Sequence, residues 1–466
     1  MRQAYRRLLG NRSFMQVWSA TVVSGLGDRI ATIALFLLVY KLTGRALDLG
    51  LLAAVQILPT IVLGPVTGVL VDRWDRSRVM VVSDLCSAVV VAAIPFASDL
   101  GTLYLLAGLL AVGRQFTGPA RLALVPDLVA EDELGPANAL TLITRNLLLL
   151  VGPALGGALV ATLGTDWAFW IDAVTFVASA AILLSRPLVR RRPAHRAPAL
   201  EPLHAPAGGL GHAADVARAA ADDSAARRVA AGSAASARAE RGLGTLRAGA
   251  SLVLGNPQLR FAFVFFGAMT FVTAMQQPLV VAFVKEALDG SDVQLGLIIS
   301  AAGLGGIIGA PLGALGRGMR RPLHRVAALL VVDGLLLVFF AVNRSFTGAL
   351  VLFAAFGALG SLGQVAIATF LQRETPEAYR GRVFGWLGTW IGPLSLASVF
   401  LGPLAAGVLG AAVVLGLSGA FELLVGAGGA LLLRRQDAAR LRSAAGARSA
   451  TVATDASRQT AGAPPA

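Results

Sequence analysis

Cysteine is almost missing from this chain. Of 466 residues one is cysteine, Cys86, and it sits in an apolar run, so a disulfide framework and a cysteine-based metal site are both excluded and Cys86 is expected to be a small core residue. Histidine is nearly as scarce: His195, His204 and His212 fall in a central polar stretch and His324 in a basic loop. With no histidine in the apolar segments and a single thiol, no clustered nucleophile, base or metal set is visible, so an enzyme is not expected. Lysine is limited to Lys41 and Lys285, neither in a GxxxxGK(S/T) setting, which removes a phosphate-loop ATPase. Charge of any kind is thin, at 14% of residues, against about 25% in soluble domains.

What fills the chain instead is apolar sequence. Hydrophobic residues make up 56% and the mean hydropathy is +0.72, values of a polytopic membrane protein. Windows of about 20 apolar residues, enough to cross a ~30 Å hydrocarbon core, fall at 13–41, 48–71, 79–98, 101–124, 136–163 and 167–185, and again at 260–285, 293–316, 324–342, 346–371, 383–408 and 410–433. The expectation is an all-α polytopic membrane protein with twelve transmembrane helices in two six-helix halves. The first window follows a basic N-terminus (1–12) but is too long, and lacks the cleavage site, for a removable signal peptide, so it is read as a span.

The net charge of +14 is carried by arginines scattered between apolar segments, which argues for membrane topology and against a nucleic-acid partner. Arg73, Arg76 and Arg78 lie between helices 2 and 3, Arg317, Arg320, Arg321 and Arg325 between 8 and 9, and Arg373, Arg380 and Arg382 between 10 and 11. The opposite side holds Lys41, Arg45, Lys285 and Arg344. Both termini are therefore expected in the cytoplasm. Residues 186–259 form a cytoplasmic linker, expected to be disordered over 193–240 and to end in an amphipathic surface helix at 244–258; 434–466 is expected to be a disordered tail.

The chain also repeats itself. DLGLLAAVQILPTIVLGP (48–65) lies against QLGLIISAAGLGGIIGAP (294–311), and at an offset of 250 Pro126 falls on Pro376 and Gly152-Pro153 on Gly402-Pro403. Two related halves are the expected trace of a transporter.

These residues resemble the major facilitator superfamily, and within it the branch of bacterial macrolide and siderophore exporters. GVLVDRWDRSR (68–78) is similar to the family's loop 2–3 signature GxxxDRxxR(R/K) through Gly68, Asp72, Arg73 and Arg76, with Ser77 where a last base is expected and Arg78 after it. GPALGG (152–157) resembles the antiporter motif through Gly152, Pro153, Gly156 and Gly157, although Leu148 stands where an upstream glycine is expected. LQRETPEAYRGRVFG (371–385) matches the loop 10–11 signature at Gln372, Arg373, Pro376, Gly381 and Arg382. The resemblance implies a cytoplasmic gate in which Asp72 meets the start of helix 11 or pairs with Arg76.

An ionised side chain at the bilayer centre costs about 2.5–3.5 kcal/mol even on insertion scales and faces a cavity or a partner. Asp28 and Arg29 in helix 1 and Arg114 in helix 4 lie near mid-depth, and Arg114 with Gly118 resembles the family's proton-coupling RxxxG motif. Asp28 is the first choice for a proton-carrying carboxylate with Arg114 as its partner; the alternative is a fixed buried pair of Asp28 with Arg29 or Arg114. Asp333 and Asp84 occupy related places in the two halves, and Asp172 is expected to lie shallow on the outer side. Gln56, Arg145, Gln276, Gln277, Gln364, Trp390 and Glu422, with Phe36 and Phe271, are candidates for a substrate cavity of amides and aromatics suited to an amphipathic ligand. Gly305, Gly309 and Gly313 form a small face for helix packing.

The resemblance implies a proton-coupled secondary exporter, of the drug:H+ antiporter type, for hydrophobic or amphipathic small molecules such as antibiotics or siderophores, in a bacterial inner membrane. Its partners would be a small-molecule substrate, protons and the lipid bilayer, with no cofactor or metal and a working monomer. A facilitator or importer of the same fold, or a non-transporting receptor, stays open at this level.

Overall fold

The computed structural model describes residues 2–188, 251, 253–255, 257–315, 322–375 and 377–461. The three linker histidines, the stretch 193–240 and most of the expected surface helix lie outside these residues. A short helix, Arg2–Gly10, precedes twelve long ones. The first six are α1 (Arg12–Thr43), α2 (Ala46–Arg73), α3 (Arg76–Ala93), α4 (Leu100–Leu128), α5 (Leu134–Leu163) and α6 (Thr165–Leu184). The second six are α7 (Pro257–Glu286), α8 (Asp292–Leu315), α9 (Pro322–Val342), α10 (Phe346–Glu374), α11 (Glu377–Leu409) and α12 (Ala411–Ala461). No strand occurs among the described residues.

The ends of the helices follow from local chemistry. Asn11 caps α1 by accepting from the Phe14 amide at 3.1 Å, and Gly44 closes it with φ 61°, a left-handed conformation costly for any side chain. Asp75 caps α3, accepting from the Ser77 and Arg78 amides at 3.0 Å each and from the Ser77 hydroxyl at 2.5 Å. Ser77, which departs from the loop 2–3 signature, therefore serves a helix start. Among the described residues eleven helices are long and apolar enough to cross a membrane. The one left out is α4, whose apolar run is broken by Arg114 and Gln115, and it packs among α2 and α3 within the first half.

Two expectations change. Residues 434–461, expected as a disordered tail, continue α12 as helix, because an alanine- and arginine-rich sequence has high helix propensity even without an apolar face. Cys86 is exposed, not a core residue, since in a membrane protein the apolar outer surface faces lipid and hydropathy does not mean burial.

The two halves meet along two seams, α5 with α8 and α2 with α11. At the first, a Cβ on Gly157 would strike the Asp292 carbonyl oxygen and come within 3.2 Å of the Gly296 Cα, while one on Gly296 would strike the Pro153 carbonyl. The Ala154 amide donates to the Ser300 hydroxyl across this seam at 2.9 Å. Within the second half, Gly305 and Gly309 let α8 lie against the α10 backbone at Ala354 and Ala358; the Gly313 position lies outside the described side chains.

The hydrophobic core is divided unequally between the two faces. Toward the face away from the termini, one continuous core joins both halves, with Phe36, Leu52 and Phe169 of the first and Phe283, Phe340 and Leu415 of the second. Toward the face that carries the termini, each half has a separate core, one around Phe14, Met80 and Leu124, the other around Phe265, Leu330 and Phe370. The far face is further locked by charge. Asp292 accepts from Lys41 and Lys285, each at 2.7 Å, and the Tyr40 hydroxyl reaches Glu286 at 3.3 Å. Lys41 and Tyr40 belong to the first half, the others to the second. Among the described residues the two halves share one core at the far face and have separate cores at the terminal face.

Gly157→Ala is expected to lower the thermal unfolding midpoint, with a cost of about 1–3 kcal/mol for overpacking, because its Cβ meets backbone that no rotamer change can move; Gly428→Ala, whose Cβ meets nothing within 4 Å, is the control that stays level or gains. Since Lys41 and Lys285 are the chain's only lysines, Asp292→Asn is expected to raise their modification by an amine-reactive reagent several-fold, read by mass spectrometry. An unchanged modification rate would mean that the carboxylate does not hold the far face shut.

Candidate functional site

The first half contains a cavity of about 360 Å³ between α1, α4 and α5, lined among others by Trp18, Asp28, Arg29, Arg114, Arg121 and Arg145. Its chemistry is set by Asp28 and Arg114. The Arg114 guanidinium donates from Nε at 2.9 Å to Oδ1 of Asp28, and its Nη2 stands 2.8 Å from the same oxygen as the ion-pair contact. About a quarter of the Asp28 side chain, 27%, remains accessible, so the ion pair forms part of the cavity wall and is not sealed off.

Glycines place what surrounds the pair. Gly27 has no side chain where α6 crosses α1, and a Cβ there would strike the Thr175 hydroxyl and the Asp172 carboxylate. Asp172 is thus brought to the level of Asp28, fully buried, where its charge acts on both Asp28 and Arg114. The expectation of a shallow outer position is corrected: Asp172 lies against Gly27, the residue next to Asp28 in α1. Thr175 donates to Asp172 at 3.2 Å, and Ser179 donates to the buried Asp84 at 2.6 Å. In this half each of two buried carboxyl groups has a hydroxyl donor on one oxygen, while Oδ2 of Asp172 is buried without a hydrogen-bond partner.

Gly152 of the GPALGG stretch does the same for Arg29, whose Cβ and Cγ occupy the place a side chain at 152 would take. Gly156 faces Ile30 and Ile33 of α1, with a would-be Cβ 3.1 Å from the Ile30 carbonyl. The motif therefore packs α1 on one side and α8 on the other, through Gly157. The cavity's charged lining is four arginines to one aspartate. The Nε of Arg121 is buried without a hydrogen-bond partner. Trp18 donates to Thr144 at 3.0 Å, holding its ring at the cavity edge.

Of the candidates for a substrate cavity, Arg145 lies in this wall. Gln276 and Gln364 meet in a second cavity of about 140 Å³ in the other half, together with Asp333, Thr273 and Phe356. Gln56, Gln277, Trp390 and Glu422 lie outside both linings. Gln56 donates to the Leu52 carbonyl of its own helix at 3.5 Å, Trp390 is 47% exposed, and Glu422 and Phe36 are buried in the packing. Phe271 stacks edge-on with Phe421 at 6.4 Å.

At the terminal face Arg76 pairs with Asp127 at 2.6 Å and donates to the Ala123 carbonyl at 2.7 Å, tying α3 to the end of α4. The side chains of Gly68, Asp72 and Arg73, and of Gln372, Arg373, Pro376, Gly381 and Arg382, lie outside the described residues. Arg7 pairs with Asp132, and Asn11 donates to the Leu128 carbonyl at 2.7 Å, so the first helix holds the 4–5 connection.

Sequence reasoning missed Arg121 as a cavity residue, and it missed the Lys41–Asp292–Lys285 cluster, counting both lysines only as loop charge. A signal was present: the chain's only two lysines stand on the same face, each just before a new helix begins.

Comparison with known proteins agrees with this architecture. The profile of the Major Facilitator Superfamily matches residues 17–398. A transporter of that type from Bacillus subtilis, YfiS, is 34% identical over 177 residues, covering 38% of this chain and 42% of its own length. The multidrug efflux pump Tap of Mycolicibacterium fortuitum is 34% identical over 170 residues, 34% of this chain and 42% of the pump. Macrolide efflux protein A of Streptococcus pyogenes is 30% identical over 151 residues, 31% of this chain and 37% of that protein. This chain thus matches about two-fifths of the length of these relatives. Among solved structures, a bacterial homologue of the iron transporter ferroportin in an inward-facing state superposes with a TM-score of 0.62 at 13% identity, over 89% of this chain and 98% of that one. The peptide transporter POT gives 0.63 at 13% identity, over 91% and 95%. With two packed six-helix halves, charges inside the membrane and a family match that runs through both halves, the chain is a multi-pass membrane protein and belongs to the Major Facilitator Superfamily of secondary transporters.

Proposed function

We propose that this chain is a proton-coupled exporter of amphipathic small molecules in a bacterial inner membrane, with both termini in the cytoplasm. The observation that carries the reading is the Asp28–Arg114 ion pair in the wall of a cavity on the side where the halves have separate cores. In this arrangement a ligand enters from the cytoplasm while the far face is held by Asp292 and its two lysines. Rocking of the halves about the α5–α8 and α2–α11 seams then parts those lysines from Asp292 and opens the far side. A proton taken up there neutralises Asp28, breaks its pair with Arg114 and changes the wall that the ligand meets, so ligand and proton favour different states of one cavity.

Export is supported by the GPALGG stretch and by the efflux activity that the names of Tap and macrolide efflux protein A state for those relatives. The ligand class follows from the lining. Arginine offers five donors and no acceptor, so a wall with four arginines suits molecules that combine apolar surface with several oxygen acceptors, as antibiotics and siderophores do, and disfavours cations. Gly68, Asp72, Arg73 and Arg76 with the loop 10–11 residues Gln372, Arg373, Pro376, Gly381 and Arg382 are proposed to form the cytoplasmic gate that closes when the far side opens.

In proteoliposomes with an imposed pH gradient, tested on a panel of macrolides, dyes and siderophores, Asp28→Asn is expected to reduce gradient-driven flux at least tenfold. Flux that survives the substitution would remove the proton assignment. Arg145→Gln is expected to raise KM roughly tenfold with little change in kcat, since a hydrogen bond to a charged group contributes about 1.5–3 kcal/mol; an unchanged KM would take Arg145 out of the ligand wall.

A further inference from the structure

The internal repeat exposes an imbalance deep in the second half. At an offset of 250, Asp172 falls on Glu422 and Arg114 on Gln364, and at 249 Asp84 falls on Asp333. Each half therefore places one carboxyl group on its third helix and one on its sixth. In the first half Ser179 donates to Asp84, and Thr175 donates to one oxygen of Asp172, whose other oxygen has no hydrogen-bond partner but whose charge Arg114 opposes. In the second half the arginine is replaced by an amide, and the two carboxyl groups face each other without a cation.

The geometry makes the problem acute. Glu422 is fully buried, and no hydrogen-bond donor among the described residues reaches either of its oxygens. Gly334, next to Asp333, brings α9 close enough to α12 that its added Cβ would lie 3.1 Å from the Glu422 Cβ. On α7 the charged groups are Arg260, Lys285 and Glu286 at the ends, and on α9, besides Asp333, they are His324 and Arg325 at its start. On α12, besides Glu422, they are Arg434, Arg435 and Asp437 and then Arg440, Arg442, Arg448, Asp455 and Arg458, all at least twelve residues beyond Glu422 toward the C-terminus. α10 over 346–371 and α11 over 390–409 carry none. Among the described residues the only charge acting on Asp333 or Glu422 is that of the other. Were both carboxylates ionised, the fully buried Glu422 would carry a charge with no cation beside it and a like charge on the half-buried Asp333, which costs far more than binding a proton.

We propose that Asp333 and Glu422 form a second proton-binding site, in which a proton on one carboxyl group hydrogen-bonds it to the other. A proton from water adds to one carboxylate oxygen, forming an O–H bond and leaving the pair with a single negative charge at most. Asp333 lines the cavity that also holds Gln276 and Gln364, and this is the route by which the proton exchanges. The ligand is taken as a proton because Glu422 is fully buried and lies outside the lining of the cavity that holds Gln276, Gln364 and Thr273, so a cation held by the oxygens of those side chains would not reach it; a cation site is the competing outcome that the sodium chloride arm of the test detects. The site extends the proton-coupled reading to the second half, but its test does not depend on transport.

The test is infrared difference spectroscopy on the purified full-length protein in lipid nanodiscs, in H2O and D2O, across a pH series. A carboxylic-acid C=O band present at neutral pH, shifted by deuterium, is expected in the wild type. Its diagnostic component is the one retained in an Asp84→Asn, Asp172→Asn variant, since those two buried carboxyl groups of the first half can contribute bands of their own. It should be lost in Glu422→Gln and in Asp333→Asn and retained in Asp28→Asn. The amide variants keep an uncharged hydrogen-bonding group, so their thermal midpoints are expected near the wild type at acidic pH, where the unfolded carboxyl groups are protonated too. As pH rises above the ordinary carboxylate range the wild-type midpoint should fall more than that of Glu422→Gln, because only the folded pair keeps its proton. A wild type without the band at neutral pH overturns the proposal, whether or not the variants fold, and so does a band that persists in both amide variants. Loss of the band on adding sodium chloride would mean a metal cation site and would also overturn it. If Asp28→Asn loses flux while the Glu422 band fails, only the second site is lost; the converse leaves the site standing and removes the Asp28 assignment.

Discussion

An ionised group inside a hydrocarbon layer has to find an opposite charge, a set of donors, water or a proton. In this protein that requirement organises everything that is not packing. In the first half Arg114 offsets Asp28, with Asp172 and Asp84 held by hydroxyls nearby. At the far face two lysines converge on Asp292. The surplus arginines, Arg29, Arg121 and Arg145, stand in the wall of a cavity where water or a ligand can reach them. Each solution ties together helices that the apolar effect alone would leave free to slide, because lipid solvates an apolar surface as well as another helix does.

The packing then decides which of these charges can move. A single core spans both halves at the far face, whereas two separate cores serve the terminal face. In the proposed rocking, the halves part at the terminal end without exposing a core shared among the described residues, whereas parting at the far end breaks both the common core and the Asp292 cluster. The α5–α8 seam, where Gly157 and Gly296 bring backbone to backbone, is the pivot of that proposed motion. Close glycine contacts have no side chains to disengage, so two such surfaces can tilt at low cost.

The helices were legible because hydropathy and length act locally: the twelve expected windows match α1 to α12 to within a few residues at most ends. The main misjudgement was at the C-terminus, where a polar composition was read as disorder although alanine-rich sequence is strongly helical. The pairing of Asp28 with Arg114 was legible because two opposite charges at equal depth in neighbouring helices have few other partners. Asp172, Arg121 and the Lys41–Asp292–Lys285 cluster were not. Their roles depend on how far one helix slides along another, and a sequence carries no information on that vertical offset until the helices are packed.

By itself the sequence determined how many helices there are, that they lie in a membrane, that they come in two related halves and which few charges they carry, since each of these follows from composition, spacing and repetition. Only the tertiary structure decided which charges meet. It put Arg114 within reach of two carboxylates and left Asp333 and Glu422 with each other, it gathered four arginines around one cavity, and it closed the far face with the chain's only two lysines. The physical reason is that insertion depends on each helix's own transfer free energy, whereas the state of a buried charge depends on neighbours that come from distant parts of the chain.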